Sequence, residues 1–300
     1  MISDARRQAD RQLPLGEEIF LDHVGHFVRE PDAASRAFER AGFAPTPVSI
    51  HSNAAPDGSR RLTGTGNVTA MLARGYIEAL FKTADTPLAR ELETALQRHG
   101  GVHLAAFAVA DAAAAHRRLA AAGFRMQPLV DMQRPVDTGA AAGTAAFTLA
   151  RLEPGQMPEG RIQILTHRSE AVVWQPRWLA HPNGALALTG LVIAVADPQE
   201  AAARFARFTG RQATRSESGQ TIELDRGRVE LMSAEAFTRL FPEVPVPSLP
   251  FAGAYGIRVA SLAKLAEFLR RAGLPARRGE AGLVAPFPAE LGQGAWLFTE

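Results

Sequence analysis

Four times along its 300 residues the chain repeats one pattern: an apolar strand-like run, a turn signal, then an Ala- and Arg-rich helix that stops at glycine. The copies read FLDHVGHFV–EPDAASRAFERAGF, VHLAAFAV–ADAAAAHRRLAAAGF, LTGLVIAV–ADPQEAAARFARFTG and YGIRV–ASLAKLAEFLRRAGL. Apolar residues recur at three/four spacing, Ala34, Phe38 and Ala41 in the first helix and Leu262, Leu265, Phe268 and Leu269 in the fourth. Asp32, Asp111, Asp197 and Ser261 stand where an N-cap is expected, and Gly42, Gly123, Gly210 and Gly273 where each helix should end. Strand-like sequence follows each helix: TPVSIHSN, NVTAMLA and YIEALFK, then TAAFTLARL and RIQILTH, then QTIELD and RVELMS, then GLVAPF and AWLFTE. The unit therefore reads as β-α-β-β-β. A lone unit of this kind cannot bury its sheet face, so pairs of units curving around a shared core are the natural solution.

The Trp-, Pro- and Gly-rich stretch AVVWQPRWLAHPNGALA reads as a connector between two halves, with HPNG a turn and Asn183 and Gly184 suited to positive φ. This gives an N-terminal extension (1–17), a first domain (18–170), a connector (171–187) and a second domain (188–300). Composition narrows the chemistry. With 46% apolar residues a substantial core is expected. The net charge of +2 carries no basic stripe of the kind nucleic acid requires. There is no cysteine, which excludes disulfides, thiolate nucleophiles and Cys-ligated metals. Any metal would have His, Asp, Glu, Gln or Asn ligands, which suit Zn, Mn, Ni, Co or Fe(II). The polar opening MISDARRQADRQLPLGEE has no secretory h-region, and no apolar run is long enough for a membrane span. A cytoplasmic protein is the expectation, and the Ala/Arg/Gly bias points to a GC-rich bacterial genome.

Strands LDHV, YIEAL, GVHLAAFAV and RIQIL carry the residues that matter most. Their layout resembles the vicinal oxygen chelate superfamily, which includes glyoxalase I, extradiol dioxygenases and the fosfomycin- and bleomycin-resistance proteins. The resemblance implies an α+β fold: four βαβββ modules forming two glyoxalase-like domains, with mixed sheets curved into half-barrels. It also implies a divalent metal on the concave face of the first half, held by His23, Glu78, His103 and Gln163. Gln163 departs from the usual Glu of glyoxalase I. Independently of family, strand residues of one parity share a face, so one ligand from each of four strands can converge on an ion at about 2.0–2.2 Å. Two His and one Glu leave a dication Lewis acidic, with Glu78 or a metal-bound hydroxide as candidate base.

Each residue has a plainer reading. A single His in a strand is more often structural, and His26, three positions after His23, is expected to face the other way. His99 and His116 are expected to be solvated. A carboxylate within apolar YIEALF is harder to dismiss, because burying it unpaired is costly. Asn67, Met71, Gln133, Arg134 and His181 are candidate substrate contacts, with Arg134 suited to a carboxylate or phosphate. In the second half Glu230 matches Glu78, but Gly190 and Gly253 stand where His23 and His103 do, and Trp296 lies near the fourth position. That half reads as having the fold without the site; because the extradiol dioxygenases that the chain resembles normally hold their metal in the second half, the resemblance implies that a ring-cleaving dioxygenase is disfavoured. Two functions follow. One is a metal-dependent isomerase, lyase or oxygenase acting on a small molecule chelated through adjacent oxygens. The other is a metal-free protein that binds or sequesters a small molecule in the same cavity. A homodimer is compatible with either.

Overall fold

The computed structural model describes residues 11–54, 57, 59–139 and 142–300; most of the expected N-terminal extension lies outside them. Unit one comprises β1 (Ile19–Phe27), α1 (Pro31–Arg40), β2 (Ser49–Ala54), β3 (Arg60–Met71) and β4 (Tyr76–Lys82). Helix α2 (Pro87–Arg98) leads to unit two: β5 (Gly101–Val109), α3 (Ala112–Ala121), β6 (Val130–Asp137), β7 (Ala142–Arg151) and β8 (Arg161–His167). The short α4 (Glu170–Val173) opens the connector. Unit three is β9 (Ala185–Ala194), α5 (Pro198–Thr209), β10 (Ala213–Arg215), β11 (Gly219–Glu223) and β12 (Arg228–Met232), followed by α6 (Ala234–Leu240). Unit four is β13 (Phe251–Val259), α7 (Leu262–Arg271), β14 (Arg277–Arg278), β15 (Leu283–Pro286) and β16 (Ala295–Thr299).

All four units share one topology. The first and last strands pair in parallel, as the crossover through a helix demands, and the middle strands follow antiparallel. In the first half, β1 pairs with β5 and β2 with β6, through Ser52 opposite Gln133 and Asn53 opposite Met132. These contacts close eight strands into a ring, β1-β4-β3-β2-β6-β7-β8-β5, which goes further than a half-barrel. The second eight strands stay open, with β10 and β14 at the two ends. Both halves belong to one continuous 16-stranded sheet.

The helix ends follow local chemistry. Gly42, Gly123, Gly210 and Gly273 all adopt positive φ, between +67° and +88°. Asp111, Asp197 and Ser261 cap their helices through side-chain oxygens. Asp32 does not: α1 starts at Pro31, so Glu30 is the N-cap and Asp32 falls in the first turn, where it complements the helix dipole. In the connector turn Gly184 takes positive φ, whereas Asn183 does not and instead bonds Ala41 O and Ala185 N.

Strand alternation splits the core in three. One face of the first barrel and the helices of both halves form a continuous core around Val24, Phe38, Ile77, Phe205 and Leu265. The barrel interior holds a second cluster, including Phe27, Leu80, Leu104 and Phe147. A third, around Phe237, Phe241 and Phe251, fills the concave face of the second half. His26 does face away from His23. It is fully buried where the halves meet, bonded to Leu291 O and to the Tyr255 hydroxyl, each at 2.8 Å, while Trp296 donates to the same hydroxyl at 2.6 Å. Among the described residues no helix is long and apolar enough to cross a membrane.

Candidate active site

The interior of the first barrel is polar along one side. A register shift in β1 between Leu21 and His23 lets the adjacent Asp22 and His23 enter one network, a typical use of a bulge. His23 Nδ1 lies 2.7 Å from Asp22 Oδ2, and His167 Nε2 lies 2.9 Å from Asp22 Oδ1. Burial by itself raises the Asp22 pKa. The charges and hydrogen bonds of His167 and His23 outweigh it and hold the carboxyl well below its ordinary value. Asp22 is therefore an ionised acceptor, so both imidazoles donate to it. That fixes the His23 tautomer: Nδ1 carries the proton, and a neutral ring keeps its lone pair on Nε2. Nε2 faces Glu78 Oε1 at 3.5 Å, and Asn67 Nδ2 donates to Glu78 Oε2 at 2.7 Å. Tyr76 stacks on the His23 ring, with centroids 4.2 Å apart. A chain of polar contacts thus runs Asn67–Glu78–His23–Asp22–His167 through the barrel wall.

Around Glu78 the barrel leaves a cavity of about 30 Å³, bordered by His23, His51, Asn67, Arg134, Arg151 and Gln163. His51 meets Thr65 at 3.2 Å and lies against Asn67; burial, reinforced by Arg134, pushes its pKa down to about 3, so it is neutral. Arg134 is 4% exposed, and no hydrogen bond holds its guanidinium among the described residues. Burial lowers its pKa, opposed by the fields of Tyr76 and Glu78. Arg151 donates to Gln163 Oε1 at 3.2 Å, and burial beside Arg161 lowers its pKa to about 10. Two larger cavities adjoin this interior. One of about 350 Å³ reaches Arg134 from the side of Met71 and Trp178, and one of about 260 Å³ reaches Arg151 and Gln163 from the side of His103.

The expected site residues are distributed unevenly over this frame. His23, Glu78, Asn67 and Arg134 share the interior, and Gln163 borders it with its amide oxygen committed to Arg151. His103 sits elsewhere. Leu104 and Ala106 of β5 face the barrel, whereas His103 falls at a second shift, between Leu104 opposite Gly25 and Val102 opposite His26. Its Nε2 meets His99 O at 2.8 Å and its ring stacks on His99, which is buried rather than solvated. His116 bonds Gln127 O. Gln133 points out of the barrel, where its oxygen accepts from Arg60. Met71 lines the 350 Å³ cavity. His181 uses both ring nitrogens on backbone, at Ala44 N and Met71 O, and so braces the connector. Asp22, His51, His167, Tyr76 and Arg151 join the site without having been singled out in the sequence; only the Asp-His pair in LDHV hinted at one of them.

A divalent ion would find only part of a ligand set in these residues. The His23–Glu78 pair is suitable: two donors converge, and the Asp22-backed imidazole is a common second-sphere arrangement for a metal ligand. The remainder does not complete a set. Among the described residues no three His, Asp or Glu side chains come together as a metal cluster, and the third and fourth positions are taken up by the His103–His99 contact and the Arg151–Gln163 bond. As arranged, the four residues do not fit a four-ligand ion, and no chemical step is derived through one.

Comparison with known proteins fits this geometry. Solved structures with the same fold include a hypothetical protein from Staphylococcus aureus, with TM-score 0.62 and 10% identity over 93% of this chain and 99% of that one. A variant of 4-hydroxymandelate synthase from Streptomyces coelicolor gives TM-score 0.54 and 15% identity over 94% and 92% of the two chains. The Mn(II)-bound glyoxalase from Novosphingobium aromaticivorans gives 0.52 and 14% over 94% and 81%. No curated protein matches the sequence. The family model described as a glyoxalase-like domain matches residues 21–209. With that match covering more than half of its length, on a fold of four βαβββ units, the chain belongs to the glyoxalase-like family of the vicinal oxygen chelate superfamily.

Proposed function

We propose that the chain is an enzyme of the isomerase or lyase type that moves a proton on a small molecule bearing adjacent oxygens, using the His23–Glu78 pair of the first barrel. One observation carries this reading: His23 Nε2 stands 3.5 Å from Glu78 Oε1, while Asp22 holds Nδ1 at 2.7 Å. An ionised, buried carboxylate behind an imidazole fixes its tautomer and supports the positive charge it gains on taking a proton. Asn67 orients Glu78 from the far side.

The direct test is solvent deuterium exchange at carbon, followed by proton NMR, for a panel of 2-oxo acids and α-hydroxyketones. Wild-type protein is expected to catalyse exchange on at least one member, and His23→Gln and Glu78→Gln each to lower it by about a hundredfold or more. Exchange that survives undiminished in both variants, or none across the panel, would sink the proposal. A second reading, dependence on a divalent metal, is favoured by the same His23–Glu78 pair and by the Mn(II) of the Novosphingobium glyoxalase. Metal analysis of protein purified without chelator separates the two. Near-stoichiometric Zn, Mn, Ni, Co or Fe that is lost in His23→Gln supports the metal reading. Exchange activity that persists in EDTA supports the metal-free one.

A further inference from the structure

The 350 Å³ cavity at one end of the first barrel is polarised in a way the proton-transfer reading does not use. Its volume lies near the lower end of the range for small-ligand pockets, roughly 300–1,000 Å³. Pro47, Val48, Pro135, Val136, Val172 and Trp178 make the walls apolar. Nearly every polar group on the walls is already engaged. The Ser49 hydroxyl donates to Pro135 O, Thr69 and Thr46 bond each other, Gln175 bonds Asp137 O and Val172 O, and the Asp137 carboxylate accepts from Gly139 N and pairs with Arg177. Apart from the part-exposed Trp178 indole, the exception is Arg134, nine-tenths buried, bordering both this cavity and the small interior one, with no hydrogen bond among the described residues. Glu78 acts on it electrostatically but forms no ion pair with it among the described residues.

A buried guanidinium cannot shed its charge and carries five donors in a planar fork, so it calls for a planar acceptor. We propose that this cavity binds a monocarboxylate with an apolar body, an aryl or short acyl chain, whose carboxylate sits on Arg134 and whose body lies against Val48, Val136, Val172 and Trp178. A carboxylate matches the fork bidentately, and the apolar walls reward a hydrocarbon body. Phosphate is a poorer match, because a dianion with four acceptor oxygens would find one free cation among apolar walls. Bound there, the carboxylate would lie at the barrel mouth beside Glu78. The site therefore adjoins the proton-transfer pair without depending on it.

The experiment is calorimetric titration of the full chain with octanoate, 3-phenylpropanoate, 3-phenylpropanamide and inorganic phosphate, with tryptophan emission recorded in parallel. The two carboxylates are expected to bind and perturb Trp178 emission, with the amide and phosphate at least tenfold weaker. Arg134→Gln should weaken the carboxylates tenfold or more and remove the preference over the amide. Because Arg134 is buried, that variant could misfold. Val48→Trp therefore provides a second arm: Val48 is 48% exposed, so the bulk enters the cavity from the surface and should block both carboxylates with Arg134 intact. Glu78→Gln should leave carboxylate binding in place, which separates failure of this site from failure of the proton-transfer reading. The proposal is overturned by absence of carboxylate binding at millimolar concentration, by phosphate or the amide binding as well as the carboxylates, or by binding that Val48→Trp leaves unchanged.

Discussion

The two halves run the same strand register and fill it differently. Glu78 stands opposite Gly25 on the neighbouring strand, and Glu230 opposite Val192, the equivalent position. Around Glu78 the first barrel has His23, Asn67 and Arg134 bordering a cavity, and Glu78 itself is 4% exposed. Around Glu230 there is a 2.5 Å ion pair with Arg228 on the same strand, partly open to solvent. Position 76 in the first half is Tyr, which stacks on His23; its counterpart in the second half is Arg228, whose stem packs over Gly190 where a His would be. The concave face of the second half is occupied by α6 and the chain after it, with Phe237, Phe241 and Phe251 packed into one cluster. This fold, then, does not itself make a site. A concave sheet either stays lined with polar groups that need a partner or is filled with hydrocarbon, and here the chain does one in each half.

The two equivalent carboxylates, replaced alike, should respond very differently. Glu78→Gln is expected to lower proton-exchange activity by 10²–10⁴-fold, the usual contribution of a positioned base, with little change in melting temperature. Glu230→Gln should leave activity within about twofold, because it removes only a solvent-screened pair. If Glu230→Gln matches Glu78→Gln in its loss, the active half has been misassigned. Next in size is Phe237→Ala. Removing a fully buried ring from the aromatic plug should cost roughly 3–5 kcal/mol in denaturant unfolding and leave the first-barrel exchange rate unchanged in the folded protein. A cost under about 1 kcal/mol would mean that the second half is loosely filled and not sealed.

The repeat was legible because its signals are local: a cap, a three/four apolar spacing and a glycine with positive φ can each be read within one unit. Glu78 was legible for the same reason, as a carboxylate inside an apolar strand has few inexpensive explanations. Ring closure was not, because Ser52 meets Gln133 only after two units have docked. The position of His103 was hidden by a one-residue shift in β1–β5 pairing, which no single-strand pattern reports and which moves a side chain to another face. Fourth-position equivalence shifted likewise: Gln163 pairs with Ala106 and Leu297 with Gly256, so Leu297, not Trp296, is the counterpart of Gln163. Asp22 and His167 became visible as site residues only once β1 and β8 were brought to the same interior.

A pH experiment probes the seam between the halves. Burial brings the His26 pKa down from 6.5 to about 4, although its bond to Leu291 O works the other way. The unfolded chain therefore binds a proton that the folded chain refuses. Stability from this group is complete above pH 6.5 and declines as pH falls toward 4, by roughly 3 kcal/mol. His51 and His103 are depressed by burial too, to about 3 and about 4, and add to the slope over much of the same window. Asp22, depressed as a carboxylate, loses its contribution only as pH falls below its unfolded value of 3.8. Urea unfolding at pH 7 and pH 4 should show the loss, and His26→Gln should reduce it by about the share of one group. An unchanged slope in that variant would place the acid sensitivity elsewhere.

The smallest effects decide why the second half lacks its histidines. A Cβ at Gly253, the equivalent of His103, would meet the ring of Phe237 at 2.4 Å and that of Phe251 at 2.4 Å, contacts that buried aromatic rings cannot relieve by turning a flexible end. Gly253→Ala should therefore cost about 1–3 kcal/mol, as overpacking in a filled core does. At Gly190, the equivalent of His23, the nearest atom to a new Cβ is Arg228 Cγ at 3.2 Å, on a long side chain that is 43% exposed. That chain can move by a few tenths of an ångström and keep its pair with Glu230, so Gly190→Ala should cost under about 1 kcal/mol, the usual range for sites that can adapt. Measured together by urea unfolding, the pair separates two causes. A large cost at Gly253 with a small one at Gly190 means that the aromatic plug excludes one histidine sterically, while the other is absent only because nothing there needs it. Equal costs would mean that the plug yields as readily as a surface arginine, and the contrast between a lined half and a filled half would then be one of composition and not of packing.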